Sequence, residues 1–177
     1  MWGMNAYLYQ YIIATPILAL HLILAVMLIL AILKKDRFLK RHFRKHGMLY
    51  ALIVAVASVV GSLGFSELYA YAPCKLCWVQ RIFHYPQVIL FAVAMKLTDA
   101  KVWTYSIWLS AIGLAVALYQ ILMQYNPNLT VAEVCSIIPA APSCGEILTQ
   151  SYGYITIPVM SATLFICLIV LYLYQKK

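Results

Sequence analysis

Apolar residues run through this chain in long blocks separated by short polar segments, with little strict alternation of the two kinds. Five blocks reach or approach the ~20 residues that a helix needs to cross ~30 Å of hydrocarbon. They are Leu8 to Leu33, Met48 to Phe65, Cys77 to Met95, Val102 to Met123 and Ile155 to Tyr174, and each predicts a transmembrane helix. The third is the most polar and reaches spanning length only if it starts at Cys77, which puts that residue at the membrane surface. Connections are short except for Gln124 to Gly153. There Asn126-Pro127-Asn128, Pro139 and Pro142 predict irregular backbone, since proline can neither donate to a helical ladder nor fit its interior.

Composition agrees with this pattern. The chain is 65% hydrophobic and 10% charged, whereas soluble domains carry about 25% charged residues, so a water-soluble fold is excluded. The net charge of +8 is unevenly placed. All Lys and Arg except Lys75 and Arg81 lie between the first two blocks, between the third and fourth, or at the C-terminus. Basic residues in short loops stay cytoplasmic, so five spans are predicted with the N-terminus outside, the C-terminus inside and both cysteine pairs extracytoplasmic. Met1 to Gln10 has no positive charge and the first block exceeds the 7–15 residues of a signal-peptide core, which predicts a retained span. The basic run from Lys34 to Lys45 is read as a topology signal with some attraction to anionic lipid, and no nucleic-acid partner is expected. Asn128-Leu129-Thr130 fits a glycosylation acceptor, a pattern too common by chance to carry weight.

The candidate chemistry lies in the cysteines. Cys74 and Cys77, in Cys74-Lys75-Leu76-Cys77, have the C-x-x-C spacing of a small-ring disulfide that opens and closes. At a helix start the unpaired N–H groups and the positive dipole end favour the Cys77 thiolate, and Lys75 and Arg81 add positive charge, so a depressed thiol pKa is expected. Arg81 and His84 fall four and seven residues after Cys77, on the same helix face. Arg81 either snorkels toward headgroups or donates hydrogen bonds to an oxygen-rich electron acceptor such as a quinone carbonyl. His84 either satisfies a neighbouring carbonyl or serves the same ligand. Pro86 frees the carbonyl of Ile82 and predicts a kink that makes room for a flat molecule. Trp78, Tyr69 and Tyr71 read as an interfacial aromatic belt.

Cys135 and Cys144 flank the two loop prolines, and a disulfide between them would close a short external loop, as a structural staple or as a second redox pair. Two pairs within reach can pass a disulfide by thiolate attack. Cys167, in the middle of the last block, reads as a small buried hydrophobe. Only one pair has the C-x-x-C spacing of a zinc site, so no metal is expected.

Cys74-Lys75-Leu76-Cys77-Trp78-Val79-Gln80-Arg81 followed by Tyr85-Pro86 resembles the DsbB disulfide-bond formation family, and most of all its BdbC-type branch from Gram-positive bacteria. The similarity covers Met48 to Tyr174 and includes the order of C-x-x-C first and loop pair second, which disfavours the vitamin K epoxide reductase family. The resemblance implies an all-α integral membrane protein with a four-helix bundle at 48–177, its extracytoplasmic loop at 124–153, and one additional N-terminal transmembrane helix with its basic loop at 1–47. It implies an enzyme that reoxidises an extracytoplasmic thioredoxin-like thiol oxidase of the DsbA/BdbD type and passes the electrons to membrane menaquinone or ubiquinone. By the same correspondence Cys77 lies against the quinone with Arg81 assisting, Cys74 exchanges with the loop pair, Cys135 is attacked by the soluble partner and Cys144 resolves. The competing class is a non-enzymatic membrane scaffold whose external disulfides are structural.

Overall fold

Five long helices are present among the residues that the computed structural model describes, 2–126 and 143–176, with side chains of the first helix from Tyr7 onward. They are α1 (Trp2–Ile32), α2 (Arg37–Leu63), α3 (Lys75–Leu97), α4 (Val102–Tyr125) and α5 (Ile157–Gln175). A π-helical turn, Gly64–Leu68, prolongs α2. A two-residue antiparallel hairpin, β1 (Gln150–Ser151) with β2 (Ile155–Thr156), precedes α5 and turns through Tyr152 and Gly153, both at positive φ. The protein is an all-α membrane bundle.

Helices α2, α3, α4 and α5 close a ring, each packing on the next and α5 returning to α2. The extra helix α1 stands outside the ring against α5 and β1. At the basic end, Ala51 and Ala55 of α2 let Phe91, Trp103, Leu168 and Leu171 meet in one buried cluster, since small residues allow close helix approach where lipid gives no hydrophobic push. Gln175 of α5 donates to the Phe43 carbonyl at that end. The opposite end gathers Cys74, Met123 and Cys144.

Four helices are long and apolar enough to cross a membrane among the described residues: α1, α2 with its π turn, α4 and α5. Their outward Leu, Ile and Val, such as Leu22, Ile53, Ile112 and Leu173, are exposed, as lipid-facing side chains should be. Helix α3 has 23 residues, about 34 Å at ~1.5 Å per residue, but falls short in apolar character. The cause is a stripe of Gln80, Arg81, His84 and Gln87, all buried and therefore turned to the bundle interior.

Four of the five helix starts differ from the sequence reading, α1 beginning at Trp2, six residues before Leu8. Helix α2 starts at Arg37, eleven residues before Met48, so most of the expected basic loop is its first turns. Lys, Arg and Leu are good helix formers, no glycine interrupts before Gly47, and Lys40 pairs with Asp36 at 2.9 Å one turn away. Helix α3 starts at Lys75 because Cys74 caps it. Helix α5 starts at Ile157, since Ile155 and Thr156 pair with β1. Pro86 leaves α3 continuous.

Candidate functional site

The cysteine end is built from the α3 start. Cys74 is extended (φ −66°, ψ 168°) and its sulfur accepts the Cys77 backbone N–H at 3.3 Å, a cap on one of the helix's unpaired first-turn donors. This capping turn brings the two sulfurs together, 2.7 Å apart. Both are free thiols here, so the Cys74–Cys77 disulfide expected from the sequence is not formed in this structure. Such a pair needs little movement to reach the ~2.05 Å of an S–S bond. The hydrogen bond shared with Cys77, followed by burial, pushes the Cys74 thiol well above its ordinary range.

The side chain that organises this end is Gln120 of α4, which the sequence reading did not single out. Its amide N–H donates to the Cys74 sulfur at 3.2 Å, to the Cys77 sulfur at 3.6 Å and to the Cys144 carbonyl at 3.4 Å. Its carbonyl accepts from Gln80 of α3 at 2.7 Å. Cys144 is fully buried and disulfide-bonded. Cys135, Pro139 and Pro142 lie outside the described residues. The available signal was a glutamine, one of two in a helix without charged residues, costly in a bilayer unless paired.

One turn into α3, Arg81 points inward. Its Nε donates to the Ser62 hydroxyl at 2.9 Å and its Nη2 to the Ser62 carbonyl at 3.0 Å. Trp78 covers the guanidinium, 5.1 Å from the ring centre. A residue 9% exposed and bound to the neighbouring helix is not snorkelling. His84 follows, with Nε2 3.2 Å from the Ser161 hydroxyl of α5 and its ring stacked on Phe165 at 3.6 Å. Phe165 reaches it across Gly113 of α4, where any Cβ would strike the phenyl ring. Nδ1 of His84 is buried without a partner.

Cys77, Arg81 and His84 line one side of a cavity of about 190 Å³ that runs between α1, α2, the π turn, α3 and α5. Most other walls are apolar. An apolar cavity of ~150 Å³ takes up benzene, so this one has room for a flat ring system. A guanidinium, an unpartnered imidazole nitrogen and a thiol on one wall suit a ring with polar edges. The structure therefore brings together Cys74, Cys77, Arg81 and His84 and sets Cys144 against the first of them, while Cys167 lies buried in α5, away from this cluster.

The family model for the disulfide bond formation protein DsbB matches residues 44–175. A probable disulfide formation protein C of Halalkalibacterium halodurans is 38% identical over 128 residues, 70% of this chain and 88% of that protein. A probable disulfide formation protein C 2 of Bacillus anthracis is 35% identical over 76% of this chain and 94% of its own length. The disulfide bond formation protein C of Bacillus subtilis is 34% identical over 67% of this chain and 83% of its own. No solved structure matches.

Proposed function

The chain belongs to the DsbB family of disulfide bond formation proteins, and from that premise we propose that it is a membrane oxidoreductase that reoxidises an extracytoplasmic thioredoxin-like thiol oxidase and delivers the electrons to membrane quinone. The observation that carries this reading is the position of Cys77. Its sulfur touches that of Cys74, which packs against Cys144, and it also lines the cavity that holds Arg81 and His84. In this reading the chain spans the membrane five times, N-terminus outside, with residues 1–47 appended to a redox domain at 48–177.

The partner's dithiol attacks the Cys135–Cys144 disulfide at Cys135, leaves as a disulfide, and puts two electrons on the loop pair. Cys144 then attacks Cys74 of an oxidised Cys74–Cys77 pair, and closure of Cys135–Cys144 leaves Cys74 and Cys77 as thiols. That reduced pair is the state seen here. Gln120 holds the exchanging groups together and donates to whichever sulfur carries charge. Cys77, and not Cys74, lines the cavity and is the sulfur placed to meet the quinone. Quinone, when bound, supplies the two-electron sink through which the pair is reoxidised. Arg81, held by Ser62, offers hydrogen bonds to a carbonyl edge and stabilises negative charge there; His84 offers Nδ1.

The test counts free external thiols by maleimide mass shift in membranes with and without quinone after reduced thioredoxin-like protein is added. Accumulation of thiols in both pairs only when quinone is absent is the expected result. Pairs that stay oxidised in both conditions would make them structural staples and leave a scaffold.

A further inference from the structure

The family match begins at residue 44, so α1 lies wholly outside it. Yet α1 is fitted to the bundle along one stripe of helical period: Gln10, Ala14, Ile17 and Met27 are its buried residues. Hydrogen bonds fasten α1 on both sides of Ile13 to Leu20, and between them the Thr15 hydroxyl bonds that of Tyr152 at 2.9 Å. Near one end the Tyr9 hydroxyl donates to the Gly61 carbonyl at 3.2 Å and the Gln10 amide to the Ser151 hydroxyl at 2.8 Å. Three turns on, His21 bonds the Tyr154 hydroxyl at 2.9 Å and the Thr163 hydroxyl at 2.7 Å through its two ring nitrogens. A helix held on both sides of a segment has that segment placed with little freedom.

The segment between the fastenings is the one that faces the cavity: Ile13, Ile17 and Leu20 line it. Farther toward the basic end α2 and α5 pack on each other through Ala51, Ala55, Leu168 and Leu171. Near Arg81 the cavity is lined by Ser58 and Gly61 of α2 on one flank, by Met160 and Leu164 of α5 on the other, and by α1. Across the cavity the guanidinium of Arg81 and the imidazole of His84 come from α3, with the hydroxyls of Ser58 and Ser62 from α2 and Ser161 from α5, whereas the α1 wall offers only hydrocarbon.

We infer that Ile13, Ile17 and Leu20 of α1 are the selectivity wall of the quinone cavity, setting by shape which ring the protein accepts. The inference rests on the quinone reading above and adds to it the role of the extra helix. A hydrocarbon wall discriminates by volume, and one methylene more or less in such a pocket changes affinity by about tenfold or more. The one-ring benzoquinones and two-ring naphthoquinones differ at the ring edge, the kind of difference such a wall can sense.

The experiment uses the full chain in detergent and titrates a short-chain benzoquinone and a short-chain naphthoquinone, following tryptophan fluorescence quenching, with turnover measured in parallel. Ile17→Ala should raise the naphthoquinone-to-benzoquinone affinity ratio about tenfold, and Ile17→Phe should lower it about tenfold. Ile23→Ala, on the lipid face of the same helix, should leave the ratio unchanged. A photoreactive quinone, applied to the unaltered chain and mapped by mass spectrometry, should label α1 between residues 13 and 20, which keeps the inference testable if an Ile17 variant misfolds. Wild-type binding with unchanged ratios in folded Ile17 variants, or label on α3 and none on α1, overturns the wall and leaves the quinone reading standing. A wild type that binds neither quinone overturns both.

Discussion

In α1 the buried residues are apolar apart from Gln10, and Leu, Ile and Val such as Leu22, Ile23 and Val26 are turned to lipid. In α3 the buried stripe is the polar one, and each of its polar residues is met from a neighbouring helix, Gln80 by Gln120, Arg81 by Ser62, His84 by Ser161, Gln87 by Ser106 and Ser110, with Nδ1 of His84 left unpartnered. Hydropathy ranks α1 an obvious span and leaves α3 below the line. The contrast shows that hydropathy reports how much of a helix faces lipid. A helix at the centre of a membrane bundle is free to carry a polar face, provided that face is satisfied within the protein.

The strongest way to break that contrast is to leave one of the α3 groups with the wrong shape. Arg81→Lys keeps the positive charge but replaces a planar fork by a point charge, so the paired bonds to the hydroxyl and carbonyl of Ser62 are not reproduced. Removal of a preorganised donor at a site of developing charge costs about 10²–10³ in rate, and a lysine that keeps the charge should recover part of that. We expect quinone reduction to fall about tenfold to a hundredfold in single turnover, with exchange between the two cysteine pairs unchanged. Equal rates for Arg81→Lys and wild type would remove the guanidinium from the electron-transfer step.

The same contrast explains what could be read from the chain alone. The spans, the clustering of cations at one end and the C-x-x-C motif were legible because each is a local pattern. Helix ends were less so. The basic residues Arg37 to Lys45 look like a loop by polarity and are helical by propensity, and nothing local announces that Cys74 caps α3 with its sulfur. Arg81 was visible as a residue, but its direction was not, since the choice between headgroups and Ser62 depends on where α2 lies. Gln120 was missed for the same reason: its importance comes from having Cys74, Cys77 and the Cys144 carbonyl around one amide, a meeting of three elements. The packing face of α1 was illegible because the helix is apolar all round, leaving only Gln10 and His21 as hints.

A smaller effect is expected at the bridge between α3 and α4. Gln120→Leu removes the donor shared by Cys74, Cys77 and Cys144 and leaves the Gln80 amide facing hydrocarbon. Interhelical hydrogen bonds in membrane bundles are worth about 0.6 kcal/mol on average and up to ~1.7 kcal/mol, so the stability loss should lie in that range. Exchange between the loop pair and the C-x-x-C pair should slow about tenfold, a value assigned from ~1.4 kcal/mol of lost positioning, while quinone affinity stays as it was. Adding Gln80→Leu should restore much of the stability, because two matched apolar groups leave no unpaired amide, and none of the exchange rate. A double variant that regained both would make Gln120 a packing residue.

The smallest effect tests α1 against α3 on equal terms. Gln10 is the one buried glutamine of α1, and Gln10→Leu removes its bond to Ser151 just as Gln120→Leu removes bonds beside the cysteines. Here the helix retains its second fastening at His21 and the Tyr9 bond to Gly61, along with the apolar contacts of Ala14 and Ile17 with Phe65, Ile155 and Met160. The loss should therefore stay near the ~0.6 kcal/mol average for a single interhelical bond, measured by reversible unfolding in mixed micelles. Turnover and the quinone affinity ratio should both be unchanged, because the wall residues are placed by several contacts at once. A Gln10→Leu protein that lost quinone selectivity as an Ile17 variant does would mean that α1 depends on its polar groups as α3 does, and the contrast between the two helices would reduce to one of lipid exposure alone.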